Sequence, residues 1–264
     1  PRTGTKTAAP KVAKAVKNDQ SRPLRDLRPM EPKAVEPGKI REIPLHRHPR
    51  DKAAREARPL LSAPDSVLQQ VPGQGDMPEP TVNFEGIGNL NSVLPPDTTG
   101  DVGPNHYIQW VNLSFAVYDK SGTKLYGPAA GNTLWAGFGG ACETGNDGDP
   151  IVLYDPLADR WLMSQFALPN YPNGPFSECI AVSKTGDPLG EWYRYEFQFT
   201  KMNDYPKLGV WPDGYYMSVN QFAPGTTSWA GVGVAVFERS QMLVGGAADM
   251  VFFDLYDANA NFFG

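Results

Sequence analysis

Three aspartates, Asp101, Asp149 and Asp204, each head a similar stretch of chain, at spacings of 48 and 55 residues. Carboxylates that converge repel one another unless a cation or shared protons compensate them. One chemistry that fits is a hard-metal site, for which oxygen donors of this kind favour Ca²⁺. Asn146-Asp147-Gly148-Asp149 is calcium-like in composition, with Asp147 and Asp149 as candidate ligands, but it lacks the length and terminal Glu of an EF-hand loop. A second chemistry is acid/base work on glycosides, which needs two carboxyl groups about 5–10 Å apart. A purely structural role is also open, in which each Asp only caps its own turn.

Other residues qualify as ligand-binding candidates. His106 follows Pro104-Asn105 in a turn and can serve as a base or simply hydrogen-bond locally. Tyr205-Pro206-Lys207 and Trp211 alternate along one extended run, where a Lys beside Asp204 makes an ion pair or holds an acidic ligand. Trp135, Phe138, Tyr171, Phe176 and Trp229 fall in long loops. Aromatic faces beside carboxylates suit the apolar faces and hydroxyl edges of sugars, and they equally suit covering a sheet edge. The sequence holds no Gly-x-Ser-x-Gly elbow and no His-Glu-x-x-His, so serine-hydrolase and zinc-protease chemistry have no support.

The elements that must position these residues recur. Gly148 to Phe166 reads as two strands, Ile151-Tyr154 and Trp161-Phe166, about an Asp-Pro turn, followed by strands at Cys179-Val182 and Trp192-Phe197. The same four-stranded meander appears upstream from Gly100 and downstream from Asn203, closing on Lys124-Tyr126 and Met250-Leu255. Self-similarity at this period is the signature of a β-propeller, and the chain carries three blades of it. The expected fold is all-β, a partial ring with Thr81-Gly86 as a closing strand. Three blades do not close a ring, so further blades, on this chain or a second one, are the expected partner.

Charge divides the chain. Residues 1–70 hold 16 of the 24 Lys and Arg but 8 of the 29 acidic residues, and 13 of the 26 prolines precede Thr81. This predicts a basic, Pro-rich leader or pro-segment over residues 1–80, extended or disordered, with marginal helices at residues 11–17 and 51–58. The acidic domain follows over 81–264. The leader has no interleaved aromatics, which argues against nucleic acid. No run reaches the roughly 18 apolar residues of a membrane span. Cys142 and Cys179, the only cysteines, read as a disulfide in an exported protein or as two unrelated buried thiols.

Asp97 to Asn112 (DTTGDVGPNHYIQWVN), Asn146 to Tyr154 (NDGDPIVLY) and Asn203 to Tyr216 (NDYPKLGVWPDGYY) resemble a family of large secreted bacterial proteins built from β-propeller repeats. The resemblance implies export, a propeller fold and further blades beyond Gly264, and it implies no established reaction. The expected function is an extracellular propeller that binds or processes carbohydrate at its channel mouth, as a glycoside hydrolase or polysaccharide lyase if it is an enzyme. No organic cofactor is expected, and Ca²⁺ is the metal the acidic turns favour. The alternative is a non-catalytic assembly or adhesion module that holds a protein partner through open strand edges and loops.

Overall fold

The computed structural model describes residues 8–31, 41–42, 78–226 and 228–258. Three antiparallel sheets are each built from four consecutive strands. The first comprises β5 (Thr98–Val102), β6 (His106–Val111), β7 (Ser114–Asp119) and β8 (Lys124–Ala130). The second comprises β9 (Ile151–Asp155), β10 (Arg160–Ala167), β11 (Phe176–Ser183) and β12 (Trp192–Phe199). The third comprises β13 (Met202–Trp211), β14 (Gly214–Phe222), β15 (Trp229–Phe237) and β16 (Asp249–Asp254).

Alternation decides how these sheets stack, because successive side chains point to opposite faces. On the first sheet Ile108, Trp110, Phe115, Val117 and Tyr126 share one face and bury against Val152, Trp161, Met163 and Ala181 of the second. The opposite face of the second sheet, with Leu162, Ile180, Val182, Tyr195 and Phe197, buries against Tyr215, Met217, Ala235 and Phe237 of the third. The middle sheet is therefore apolar on both faces, and burial runs almost unbroken through β10 and β11. The leading strands meet along one side of the stack, with β9 touching both β5 and β13.

The segment expected to be a leader with a marginal helix at 11–17 instead forms two strands. β1 (Lys11–Lys14) adds to β16, and β2 (Lys17–Gln20) adds to β12. Helix propensity loses here because two unpaired sheet edges offer the backbone a full set of partners. The segment continues past buried Leu24 and Leu27 to Met30, whose carbonyl accepts the Ala130 N–H at 2.8 Å, so it runs along the outer side of all three sheets. Arg194, 3% exposed, locks it in place: Nε and Nη2 donate to Asp19 at 2.8 and 2.7 Å, and Nη1 donates to the Leu134 and Ala136 carbonyls. The helix expected at 51–58 lies outside the described residues.

A second expectation is also corrected. Thr81–Gly86 forms no strand. Phe84 packs on Tyr107 and Tyr118, and the Ile87 N–H donates to Gln109 Oε1 at 2.8 Å, so the segment lies across the outer face of the first sheet. A two-residue strand β3 (Arg41–Glu42) pairs in parallel with β4 (Val93–Leu94) nearby.

Cys142 and Cys179 form a disulfide. Cys142 lies in α1 (Gly140–Thr144) of the long loop after β8, and Cys179 lies in β11, so the bond pins that loop to the middle sheet. Replacing both by Ala is expected to cost about 2–4 kcal/mol, a fall in Tm of roughly 5–15 °C, in thermal melts of variant and parent. An unchanged Tm would mean that buried Trp135 and Phe138 already hold the loop alone.

Candidate functional site

The three leading strands line one cleft of about 310 Å³, with Asp97–Gly100 and Asp149–Leu153 at the heads of β5 and β9 and Tyr205–Leu208 in the middle of β13. Two of its residues sit in left-handed backbone, Asp149 at φ 48° and Tyr205 at φ 50°. An aspartate tolerates that region, whereas a tyrosine there is uncommon and needs its surroundings to impose it. The imposing contact is visible: the Tyr205 N–H donates to Asp149 Oδ2 at 2.9 Å, beside a bulge between Asp204 and Lys207. Lys207 Nζ lies 3.6 Å from the centre of the Tyr205 ring, and half of Tyr205 stays exposed.

The electrostatics are those of crowded carboxyls. Burial first, then the Asp204 charge, pushes the Asp149 carboxyl up to about 7; the Tyr205 amide and Lys207 oppose the shift. Asp204 rises to about 6 through burial and the Asp97 charge. Deeper in, Glu178 is fully buried on β11 and pushed up to about 8 by burial first. Its Oε2 accepts from Asn203 Nδ2 at 2.8 Å, which ties the second sheet to the third under the cleft. Protons stand in for the missing positive charge, so the cluster changes protonation across neutral pH.

No family model and no curated protein sequence matches this chain.

Asp149 and Asp204 are brought together as their spacing suggested. Asp101 is placed elsewhere: its Oδ1 accepts the Val102 N–H at 2.8 Å and its Oδ2 the Tyr154 N–H at 2.7 Å, so it bridges the first sheet to the second. Asp97 lines the cleft. Asp97 stands one residue before β5, much as Asp149 stands two residues before β9, so the start of β5 and not the Gly-Asp-Val pattern marks it. Glu178 left no signal, since one acidic residue in an apolar strand looks like an exposed position.

Tyr205 and Lys207 line the cleft, whereas Trp211 lies at the far end of β13, 65% exposed. Trp135 is corrected: it is fully buried between the first and second sheets and cannot reach a ligand. Trp229 opens β15 and packs edge-on against Phe222, with ring centres 5.7 Å apart, on a small cluster with Phe176 and Met202. Tyr171 is 45% exposed in the loop after β10. His106 opens β6 half-buried and contributes nothing to the lining. Asp147 turns away, its Oδ2 accepting the Leu168 N–H at 2.7 Å. Among the described residues no three His, Cys, Asp or Glu side chains are placed to hold one metal ion.

Proposed function

We propose that the three sheets are blades of a β-propeller, that the acidic cleft is the mouth of its channel, and that this exported protein binds or processes extracellular carbohydrate there. The observation that carries the reading is the joint lining of one cleft by the three leading strands, with Asp97 and Asp149 beside a half-exposed Tyr205 and Lys207. An aromatic face with hydrogen-bonding carboxyls around it matches a pyranose ring. If the protein cleaves its ligand, Asp149 is the general acid, because a carboxyl held near 7 still carries a proton at neutral pH, and Asp97 or Asp204 is the second carboxylate. The disulfide accords with export.

Titration against defined neutral and acidic polysaccharides, followed by product analysis, tests this. Binding that weakens at least tenfold on Tyr205→Ala supports the site, and sugar release lost on Asp149→Asn supports an enzyme. A calcium arm belongs in the same experiment, since tighter glycan binding with added Ca²⁺ would support a metal at the acidic turns. Absence of binding to every polysaccharide rejects the carbohydrate reading.

One observation favours the assembly module as a second reading. The outer face of the third sheet presents the row Gly209, Tyr216, Val236, Val251 and Val12, with Trp211 beside it; Val12 is 67%, Trp211 65% and Tyr216 37% exposed. A row of exposed apolar side chains of this kind suits a protein partner.

A further inference from the structure

We infer that the cleft selects a sugar with a free amine, the repeat of a basic polysaccharide, whose ammonium is held by Asp97 and Asp204 while its ring lies on Tyr205. The inference rests on the carbohydrate reading above and names the class of sugar that the site takes.

Unbalanced charge is its first ground. Asp97, Asp149 and Asp204 come from three different sheets, yet each pair among them interacts electrostatically. Asp149 uses one oxygen on the Tyr205 N–H. Among the described residues the Asp97 and Asp204 carboxyls have neither a hydrogen-bond donor nor an ion-pair partner. Lys207 lines the same cleft but forms no ion pair with any of the three; its Nζ lies over the Tyr205 ring, 3.6 Å from the centre. Carboxyls crowded in this way take up protons or a cation. A ligand ammonium supplies the missing charge and three N–H donors together.

The second ground is independent of that charge. Below the cleft Glu178 Oε1 and Asn203 Oδ1 are buried without a hydrogen-bond partner, and the Ser164 hydroxyl beside Glu178 makes no bond of ordinary geometry. Asn203 directly precedes Asp204 and donates to Glu178 Oε2 at 2.8 Å, and Glu178 feels the Asp149 charge, so these oxygens back onto the floor of the cleft. Buried polar atoms in native proteins almost always have a partner. A floor with acceptors in excess suits a ligand rich in N–H and O–H donors, reached directly or through one water.

Tyr205 supplies the platform. Half of it is exposed, and Lys207 covers one face of the ring, which leaves the other for the apolar face of a pyranose. The ammonium falls to Asp97 and Asp204 because their carboxyls are unengaged, and Asp149 keeps its proton for the role proposed above. A neutral acetamide in place of the amine would bring no charge and fewer donors to the same spot.

Calorimetric titration of the full chain with a fully deacetylated chitosan oligosaccharide and with its N-acetylated counterpart of equal length tests this, at about pH 6, where an amine is charged. The free-amine form should bind at least tenfold tighter. Asp97→Asn and Asp204→Asn should each bring that ratio towards one with the thermal melt retained, since neither carboxyl has a structural partner to lose. Tyr205→Ala should weaken both oligosaccharides alike. Equal binding of the two forms, or a preference that survives in the double variant, would overturn the inference. So would added Ca²⁺ that tightens the N-acetylated form and erases the preference, because the cation would then be a metal. Neutral glycans that bind without any amine preference would leave the carbohydrate site standing alone, whereas no binding by any glycan would remove both.

Discussion

Asp149→Asn is expected to be more stable than the parent at pH 8 and indistinguishable from it near pH 4. The sign follows from linkage. The folded protein holds Asp149 at about 7, above the value near 4 of an unfolded aspartate, so between those limits the native state binds the extra proton. Its favourable contribution is complete below pH 4 and is lost as pH rises through 7. Above that, folding must keep a charge among neighbours of the same sign. Asparagine removes the charge, keeps an oxygen for the Tyr205 N–H and accepts the left-handed backbone.

The gain should be about 1–3 kcal/mol at pH 8, and urea denaturation from pH 4 to 9 measures it. Asp204 and Glu178, at about 6 and about 8, keep a residual slope in the variant. A variant weaker than the parent at pH 8 would show that the ionised Asp149 is held by a cation, and chelation would then erase the difference.

This site was half legible in the sequence, and the reason is geometric. Strand positions follow from alternation and turn residues, which are local, so the twelve strands of the three sheets appear close to where they were expected. Asp149 and Asp204 were found because each lies near the start of a strand that local pattern alone defines. Asp97 was displaced four residues by Asp101, since Gly-Asp-Val resembles the other heads and only the start of β5 tells the two apart. Trp135 shows the opposite failure: an apolar loop that could pack on the domain or line a pocket packs inward, pinned by the Cys142–Cys179 bond, and Trp135 is fully buried where it was expected among the ligand-binding aromatics. The strands β1 and β2 were invisible for the same reason. Lys-Val-Ala-Lys and Lys-Asn-Asp-Gln carry weak strand propensity, and only the unpaired edges of β16 and β12 make them strands.

The largest loss of stability is expected from Asp155→Ala, at the end of β9 away from the cleft. Asp155 is fully buried, and every contact on it is a donor: Arg239 Nε at 2.8 Å and Nη2 at 3.1 Å, the Tyr215 hydroxyl at 2.9 Å, and the Leu157 and Ala158 amides at 3.0 and 3.2 Å. The carboxylate closes its own hairpin turn and fastens the second sheet to the third. Its neighbours respond accordingly: Asp155 raises Arg239 through their hydrogen bond, and burial first, then the Asp155 charge, raises the Tyr215 phenol. Removing Asp155 leaves a largely buried guanidinium and a buried phenol without their acceptor, a cost of about 3–5 kcal/mol.

Arg239→Met alone should cost a similar amount, because it strands the carboxylate, and the double variant should fall well short of the sum of the two. A double-mutant cycle in urea measures this, and strict additivity would mean that the pair does not act as a unit. Arg239 also donates to the Pro212 carbonyl just after β13 at 3.3 Å, so the same ion pair helps set how β9 lies against β13, and Asp149 and Asp204 lie near the starts of those strands. Asp155→Ala should therefore also shift the pH at which the carboxyls of the cleft titrate, although it touches none of them; an unmoved titration would confine Asp155 to stability alone.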